Sequence, residues 1–392
     1  MAKRRFQLPG IQDLSKEQER VRALPLEGQH LIIGGPGTGK SVMALLRAKS
    51  LADEKLHYRF LVFNHLLKQS SQKLFGNELH SQQWQSWFIS VFVHNLNPQL
   101  PRLPPGKGSR NQSFDWAEIA RLCESFDAAK DGIDERPFLV IDEGQDMPPK
   151  FYEALVLLGF ENLFVVADQN QQIMDGENSS RQDLEDMLGL ESAETIELTE
   201  NYRNHLAIAR LARVFYTGDP ASPPPKLPAP PPHEVKKPIL FRYKPDQFGR
   251  IIARVLKMAI NSPRKLIGIL CPNNDVRERF YRALLAQNGA IGNSRSLLST
   301  FKYGDKHEMP FDEGGVMVIN AQACKGLEFD TVFIADIDQF HADEQNIDRA
   351  KKLFYVMIAR AIEHVILLRQ QGDEKPIDGI IPKDDPSVLE IK

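Results

Sequence analysis

The sequence predicts an α/β protein with two lobes, each built on a mainly parallel sheet that helices cover. Three observations predict this class: strand and helix patterns alternate in both halves, a glycine-rich loop follows the first apolar strand, and a proline-rich stretch separates the halves. Alternating strands and helices are typical of parallel sheets with both faces covered. We expect the first lobe at residues 1–218, a linker at 219–238 and the second lobe at 239–392.

The composition is that of an ordinary globular protein. Of the 392 residues, 42% are hydrophobic and 26% are charged. No stretch approaches the roughly eighteen apolar residues of a membrane span, and the N-terminus carries no apolar signal region, so we expect a cytoplasmic protein without a membrane partner. The net charge of −3 indicates that any polyanion site is a local groove. Three cysteines without CxxC spacing predict neither a zinc site nor a disulfide framework.

The glycine-rich loop lies in IIGGPGTGKS, from Ile32 to Ser41, and fits the pattern G-x-x-x-x-G-K-[ST]. Its glycines let backbone N–H groups surround a polyphosphate, Lys40 neutralises the β and γ oxygens, and the Ser41 hydroxyl can ligate Mg²⁺. A glycine-rich turn without a nucleotide is the alternative, but the lysine, the hydroxyl and the preceding strand together favour nucleotide binding. The predicted nucleotide-binding residues are Gly34, Gly35, Pro36, Gly37, Thr38, Gly39, Lys40 and Ser41.

Helical and strand patterns flank this loop. Upstream, LSKEQERVRAL predicts a short helix capped by Ser15, and its Gln18 could read an adenine edge or be an exposed helix residue. Downstream, VMALLRAKSLA predicts a helix and RFLVFNHLL a second buried strand. Trp84 and Trp87 would share a helix face, where core packing is the more frequent role and base stacking the alternative.

Two more apolar strands end in polar residues. The strand FLVI leads into Asp142 and Glu143, and NLFVVA leads into Asp168 with Gln171 three residues later. Open α/β sheets bind ligands at the carboxyl ends of their strands. One acidic residue that holds the Mg²⁺ shell and a second that deprotonates water are what hydrolysis of a nucleoside triphosphate requires.

The segment IELTENYRN then brings Tyr202 and Arg203, and an arginine near a γ-phosphate would stabilise transition-state charge. A surface Tyr-Arg pair is the alternative. The stretch DPASPPPKLPAPPPHEVKKP predicts an extended, semi-rigid spacer, with an SH3-type ligand as its other possible use.

The second half alternates in the same way but has no second phosphate loop. The strand patterns are PILFRY, LIGILCP, GVMVINAQ, TVFIADI and HVILLR, and the helix patterns are VRERFYRALLAQNG, which Gly289 would stop, and RAKKLFYVMIARA. Two lobes with a single phosphate loop predict one nucleotide in the cleft between them.

The chain resembles superfamily 1 helicases of the UvrD/Rep/PcrA type, which have two RecA-like lobes. The resemblance extends from Gln18 to Arg360 and is carried by IDEGQD, NYR, KGLEFD from Lys325 to Asp330, and LFYVMIARA from Leu353 to Ala361. It implies an ATP-dependent translocase or helicase that moves 3′ to 5′ on single-stranded DNA, with RNA as another strand to consider.

The resemblance also implies a role for each matching residue around ATP. Gln18 would contact the adenine, Tyr202 would stack on it, and Glu328 would hold the ribose. Arg203 from the first lobe and Arg360 from the second would be arginine fingers.

The remaining roles concern the phosphates and Mg²⁺. Lys40, Ser41 and Asp142 would hold the phosphates and the metal ion. Glu143 would be the general base, and Gln171 would sense the γ-phosphate.

The chain departs from the family at four places, and the first is a loop where a strand of nucleic acid would bind. The loop QQIMDGENSS lacks the usual stacking aromatic, Gln322 replaces a histidine, Ala359 a threonine and Val42 an arginine. The chain has no room for the family's two insertions, so we expect a minimal two-lobe core. Candidate strand contacts are Phe63, Asn64, Trp84, Trp87 and Gln322.

A second functional hypothesis is an ATP-gated switch subunit that unwinds little by itself. Its partner would be a protein such as a nuclease in a defence or repair complex, because no nuclease motif is visible in this sequence.

Overall fold

The computed structural model describes residues 13–63, 65–75, 79–104, 113–126, 136–171, 178–218, 223–230, 236–290, 296–301, 309–343 and 346–392. Two sheets of parallel strands are covered by helices, which confirms the predicted α/β class and fits two RecA-like lobes. In the first sheet, Leu31 and Ile33 enter one apolar cluster and Ile32 enters another, so both faces of the sheet are buried. The first lobe is built on the first sheet, and the second lobe is built on the second sheet.

The first sheet has six strands in the order β3-β2-β4-β5-β1-β6. Because all of its strands are parallel, the loops after β1, β4 and β5 emerge at one edge, where the glycine-rich loop and the acidic residues meet. The strands are β1 Gln29–Gly34, β2 Tyr58–Val62, β3 Ser81–Gln83, β4 Phe138–Ile141, β5 Leu163–Ala167 and β6 Ile196–Leu198.

Eight helices precede the proline-rich segment within the described ranges. The first begins after Ser15, whose hydroxyl accepts from the backbone of Gln18 while the Gln18 side chain accepts from Ser15, so the predicted cap is confirmed. The helices are α1 Lys16–Arg22, α2 Lys40–Asp53, α3 His65–Phe75, α4 Trp84–Asn95, α5 Trp116–Glu124, α6 Pro149–Leu157, α7 Arg181–Met187 and α8 Leu206–Val214.

The second sheet has seven strands in the order β13-β7-β12-β11-β8-β10-β9. All five strands predicted in this half are present, and helix α10 ends at Ala290, one residue after the predicted stop at Gly289. The strands are β7 Ile239–Tyr243, β8 Leu266–Cys271, β9 Leu298–Thr300, β10 Gly315–Asn320, β11 Phe329–Ile334, β12 Ala361–Gln370 and β13 Glu390–Ile391. The helices are α9 Phe248–Asn261, α10 Asn274–Ala290 and α11 Ile347–Ala359.

Helix α8 follows the first sheet in sequence but packs in the core of the second lobe. Its Ile208 and Leu211 are buried in the cluster that contains Phe354 of α11. The ring of Phe215, at the end of α8, stacks on the ring of Phe354 with centroids 5.3 Å apart. The apolar face of α8 therefore belongs to the second lobe, and the domain limit at residue 218 stays a prediction.

The described part of the proline-rich segment returns to the first lobe. The backbone N–H of Lys226 donates to the carbonyl of Thr199 at 2.7 Å, and Lys226 forms a parallel bridge with Glu200 just after β6. The segment is extended here, as the proline density predicts, but it lies against the first lobe.

The three cysteines, Cys123, Cys271 and Cys324, are buried and unpaired. Burial raises the pKa of the Cys123 thiol to about 12, so that it is inert near neutral pH. In the part of the chain that the structure describes, no helix is long and apolar enough to cross a membrane.

Candidate nucleotide-binding site

The glycine-rich loop joins β1 to α2 in the geometry that a phosphate cradle requires. Gly37 and Gly39 have φ angles of +79° and +89°, in the left-handed region that favours glycine. Gly39 immediately precedes α2, so the first turn of a fourteen-residue helix points its N–H groups at the loop.

Lys40 and Ser41 face the edge of the sheet. The Lys40 ammonium donates to the carbonyl of Gly35 at 2.7 Å and to Asp168 Oδ2 at 3.3 Å. The Ser41 hydroxyl donates to Asp142 Oδ1 at 3.2 Å. One cation and a pair of oxygen ligands suited to Mg²⁺ therefore lie side by side at the loop.

Asp142 and Glu143 are both buried at the end of β4, but their carboxyl groups have opposite pKa shifts. Burial, together with the charge of Glu143, raises the pKa of Asp142 to about 7. Burial also acts to raise the pKa of Glu143, but the cationic groups of Lys325 and Arg360 outweigh it and lower that pKa. Glu143 is therefore ionised at neutral pH and can accept a proton.

The backbone and side chain of Glu143 are held in place. Its φ of +58° is unusual for a non-glycine residue, and its Oε2 accepts a 2.7 Å hydrogen bond from Gln145 Nε2. The Gln145 Oε1 atom in turn accepts from the backbone N–H of Asp168 at 2.9 Å. Gln145, which the sequence analysis did not single out, therefore links the ends of β4 and β5.

Arg360 reaches the first lobe from the end of α11. It is 2% exposed, and its guanidinium donates to Gln171 Oε1, while Gln171 Nε2 donates to Asp168. Asn204 positions this arginine, because its Nδ2 donates to the carbonyls of Ala359 and Ala361 on either side.

Arg203 and Glu328, one from each lobe, form an ion pair. Both residues line the same cavity as Arg360. The two predicted arginine fingers and the predicted ribose contact are thus brought to one place.

Lys325 is a site residue to which sequence reasoning assigned no role. It is 2% exposed, and its ammonium donates to Asp146 Oδ1 at 2.7 Å and to the carbonyl of Gln171, and lies 3.9 Å from Glu143 Oε2. Burial raises the pKa of Asp146 to about 7, although Lys325 acts against that rise. The available signal was its position at the start of KGLEFD, one of the motifs that carry the resemblance.

These residues enclose a cavity of about 160 Å³ between the lobes. Its lining comes from the phosphate loop, from the strand ends of the first sheet and from the second lobe. The polar and glycine lining includes Gly37, Gly39, Lys40, Ser41, Asp142, Glu143, Gln171, Arg203, Glu328 and Arg360.

Gln18 and Tyr202 both donate hydrogen bonds to the backbone of the phosphate loop. The Gln18 amide donates to the carbonyl of Thr38 at 3.1 Å and accepts from Ser15, so it braces the loop. The backbone N–H of Tyr202 donates to the carbonyl of Gly37 at 2.8 Å, and the tyrosine is 56% exposed. The Tyr202 side chain is therefore accessible to a ligand.

The two tryptophans predicted as candidate strand contacts lie in the core of the first lobe. Trp84 and Trp87 are 3% and 5% exposed, and their rings pack on Phe151 and Phe160 at centroid distances of 4.9 Å and 5.6 Å. A base cannot reach either ring, so the structure does not fit base stacking. It fits core packing, the more frequent role of such residues.

The other candidate strand contacts differ in their placement. Phe63 is partly buried against the core of the first lobe. Gln322 is exposed in the short 3₁₀ helix Ala321–Cys324 after β10, where a ligand can reach it. Asn64 lies outside the described residues.

Comparison with known proteins finds a helicase family in the second half of the chain. The family described as UvrD-like helicase C-terminal domain matches residues 315–368, which hold KGLEFD and Arg360. No curated protein matches the chain. This part of the second lobe is therefore similar to a helicase domain.

Two solved structures are similar in part. One is the C-terminal domain of a possible DNA helicase from Lactobacillus plantarum WCFS1, with 17% identity and a TM-score of 0.33, over 48% of this chain and 97% of that one. The other is Arterivirus nonstructural protein 10, a helicase, with 13% identity and a TM-score of 0.33, over 94% of this chain and 64% of that one.

Proposed function

We propose that the protein is an ATP hydrolase of the helicase type that moves 3′ to 5′ along single-stranded DNA. The observation that carries the proposal is the meeting of both lobes at one cavity. Arg360 of the second lobe donates to Gln171 of the first, and Lys325 donates to Asp146. Cationic groups from one half of the chain therefore lie beside the phosphate loop of the other.

The phosphates would bind between the glycine cradle and Lys40. Lys40 would exchange the Gly35 carbonyl for phosphate oxygens, and the N-terminus of α2 would add its dipole. The Ser41 hydroxyl and the Asp142 carboxylate fit Mg²⁺, because they are oxygen ligands 3.2 Å apart and phosphates and water can complete the shell. The metal ion, when bound, would neutralise charge on the phosphates.

The remaining contacts would hold the base and the sugar. The exposed ring of Tyr202 would stack on the adenine, and the Gln18 amide keeps one hydrogen and one lone pair beyond its two contacts for an adenine edge. Glu328 would exchange its bond with Arg203 for the ribose hydroxyls.

Hydrolysis would use the ionised carboxylate of Glu143 to accept the proton of the attacking water. Gln171 would contact the γ-phosphate, and Arg203 and Arg360 would stabilise the charge that develops there. The lowered pKa of Glu143 supports its role as a base at neutral pH.

Movement would follow from the nucleotide dependence of the lobe interface. Without a γ-phosphate, Arg203 pairs with Glu328 and Arg360 donates to the neutral amide of Gln171. A γ-phosphate would offer both cations a shared anionic partner, so its loss would weaken the closed arrangement. Repeated closure and opening would let two grips on a single strand advance in turn.

A second candidate function is an ATP-gated switch that works with a protein partner such as a nuclease. The burial of Trp84 and Trp87 favours it, because these rings cannot serve as a stacking platform for a strand.

ATP turnover with and without single-stranded DNA separates the two candidates. A motor should be stimulated strongly, and its DNA affinity should fall steeply as salt rises. Stimulation by RNA in place of DNA would change the strand assignment, and a flat rate with both would favour the switch. The Lys40→Ala variant, which lacks the phosphate-loop cation, is the control for contaminating ATPases.

Direction is tested by strand displacement from duplexes with a 3′ or a 5′ single-stranded tail. The proposal expects displacement from the 3′-tailed duplex alone. Displacement from the 5′-tailed duplex alone would contradict the assigned polarity. Displacement from neither duplex, together with DNA-stimulated ATP turnover, would indicate a translocase that does not unwind.

A further inference from the structure

The proline-rich segment contacts the phosphate loop directly. The Pro225 ring packs on Gly35 so closely that a Cβ on Gly35 would overlap the Cγ and Cδ atoms of the proline. The carbonyl of the same Gly35 accepts from Lys40 Nζ at 2.7 Å and from Thr38 Oγ1 at 2.8 Å. The peptide that orients the phosphate-loop lysine is therefore in contact with a residue that connects the lobes.

Two hydrogen bonds hold Pro225 against the loop. The Arg213 guanidinium donates to the carbonyl of Pro225 at 2.6 Å, and the next backbone N–H, that of Lys226, donates to Thr199 at 2.7 Å. The ion pair between Lys226 and Glu200 is exposed at the side-chain level and adds little. Arg213 and the Lys226 backbone therefore fix the position of Pro225.

Arg213 makes this contact depend on the second lobe. It lies on α8, and the apolar side of α8 is buried with Phe354 in the core of the second lobe. A shift of the second lobe relative to the first moves α8. Because Arg213 lies on α8, such a shift also moves the guanidinium that donates to the carbonyl of Pro225. Contacts thus run without interruption from the core of the second lobe to the Gly35 peptide.

We propose that Pro225, held by Arg213, is a positioning residue for the phosphate loop that sets how tightly the nucleotide is held according to the position of the second lobe. The inference rests on the proposed ATP site. A proline suits this role because its ring is rigid and its φ is fixed, so that it transmits a displacement with little loss.

The inference is tested by the kinetics of nucleotide release in the whole 392-residue chain. The variants are Arg213→Ala, which removes the donor, and Pro225→Gly, which removes the ring. The matched control is Arg210→Ala, an exposed arginine one turn earlier on the same helix. The probe is mant-ADP, whose dissociation rate is measured by stopped-flow fluorescence beside KM and kcat for ATP.

Loss of one hydrogen bond to the segment should speed mant-ADP dissociation by about threefold to tenfold. KM for ATP should rise by a similar factor, while kcat changes less than about twofold, because no group that touches the γ-phosphate is removed. Arg213→Lys keeps a cationic donor and should recover part of the effect, and Arg210→Ala should match the wild type.

Unchanged nucleotide constants in both Arg213→Ala and Pro225→Gly would overturn the inference, even if their melting temperatures fell, because the contact would then be structural only. Arg213 is exposed, so Arg213→Ala should fold and decides the matter if Pro225→Gly does not. A wild-type chain that neither binds mant-ADP nor hydrolyses ATP would refute the proposed function, and this positioning role with it.

Discussion

Glu143 is the residue on which the proposed hydrolysis depends. Its carboxylate is buried beside cations, so Glu143→Gln should keep the shape of the site but lose the proton acceptor. We expect ATP turnover to fall by about 10²-fold to 10⁴-fold, with mant-ATP affinity retained. The control is Glu161→Gln, the same change at an exposed position of the first lobe. Retained hydrolysis in Glu143→Gln would remove the assignment of the base.

Lys325 pairs with Asp146 across the lobe interface, and both side chains are almost fully buried. Removing the cation in Lys325→Met leaves a buried carboxylate unpaired, which should cost about 3 to 5 kcal/mol of unfolding free energy at pH 8. The cost should shrink at pH 6, because the pKa of Asp146 is already raised to about 7 with Lys325 present and rises further without it, so the carboxyl becomes neutral.

The double variant Lys325→Met with Asp146→Asn is the control for this pair. It removes the Asp146 charge together with its partner, and Glu143 loses the nearby cation in both variants, so at pH 8 it should be more stable than Lys325→Met alone. Urea unfolding at both pH values measures the difference. If Lys325→Met loses the same unfolding free energy at pH 6 and pH 8, and the double variant does not recover it, the ion pair does not stabilise the interface.

At the scale of elements, α8 is a helix of the N-terminal half that completes the core of the second lobe. The Phe215 ring at its end stacks on Phe354 of α11 with an interplanar angle of 23°. Local sequence patterns indicate the apolar face of a helix but not the neighbour that covers it. The sequence therefore could not assign α8 to the second lobe.

Phe215→Ala should lower the free energy of unfolding by about 3 to 5 kcal/mol, and the second lobe should be the part that is destabilised. The chain offers an internal reporter, because its three tryptophans, Trp84, Trp87 and Trp116, all pack in or on the core of the first lobe. In urea, far-ultraviolet circular dichroism should show an early transition that tryptophan fluorescence does not follow. Phe160→Ala, in the first lobe, should shift the fluorescence transition instead, and coincident shifts in both variants would argue that the lobes unfold as one unit.

At the scale of the whole molecule, Arg360 tests whether the lobes share one catalytic site. Arg360→Ala should lower ATP turnover by about 10³-fold or more, while nucleotide affinity changes less, because this cation would act mainly on transition-state charge. The control is Arg254→Ala, an exposed arginine on α9 of the second lobe. An unchanged rate would show that Arg360 contributes nothing to the reaction and would remove the argument that the lobes share one catalytic site.

Much of the fold was open to prediction because the evidence for it is local. Apolar runs placed the strands, and a glycine-rich pattern located the phosphate loop with Lys40 and Ser41. The helical spacing of Ile251, Val255 and Leu256 in α9 was also visible and was missed. The short strands β9 and β13 offer too few residues for a pattern.

The candidate site was only partly predictable because its geometry depends on long-range contacts. Burial of Trp84 and Trp87, the pairing of Lys325 with Asp146 and the contact of Pro225 with Gly35 each join segments far apart in sequence. Residue type and spacing predicted the chemistry that each side chain can perform. They did not predict which residue each side chain contacts.

The path of the chain limits how this protein can be divided. After β6 the polypeptide enters the second lobe as α8, returns to the phosphate loop at Pro225 and only then begins β7. An N-terminal fragment that ends in the proline-rich segment would carry α8 with its apolar face exposed to solvent. The C-terminal fragment would lack the helix that covers this part of its core. Each half expressed alone should therefore aggregate and be poorly soluble, and co-expression of the two halves should restore their solubility.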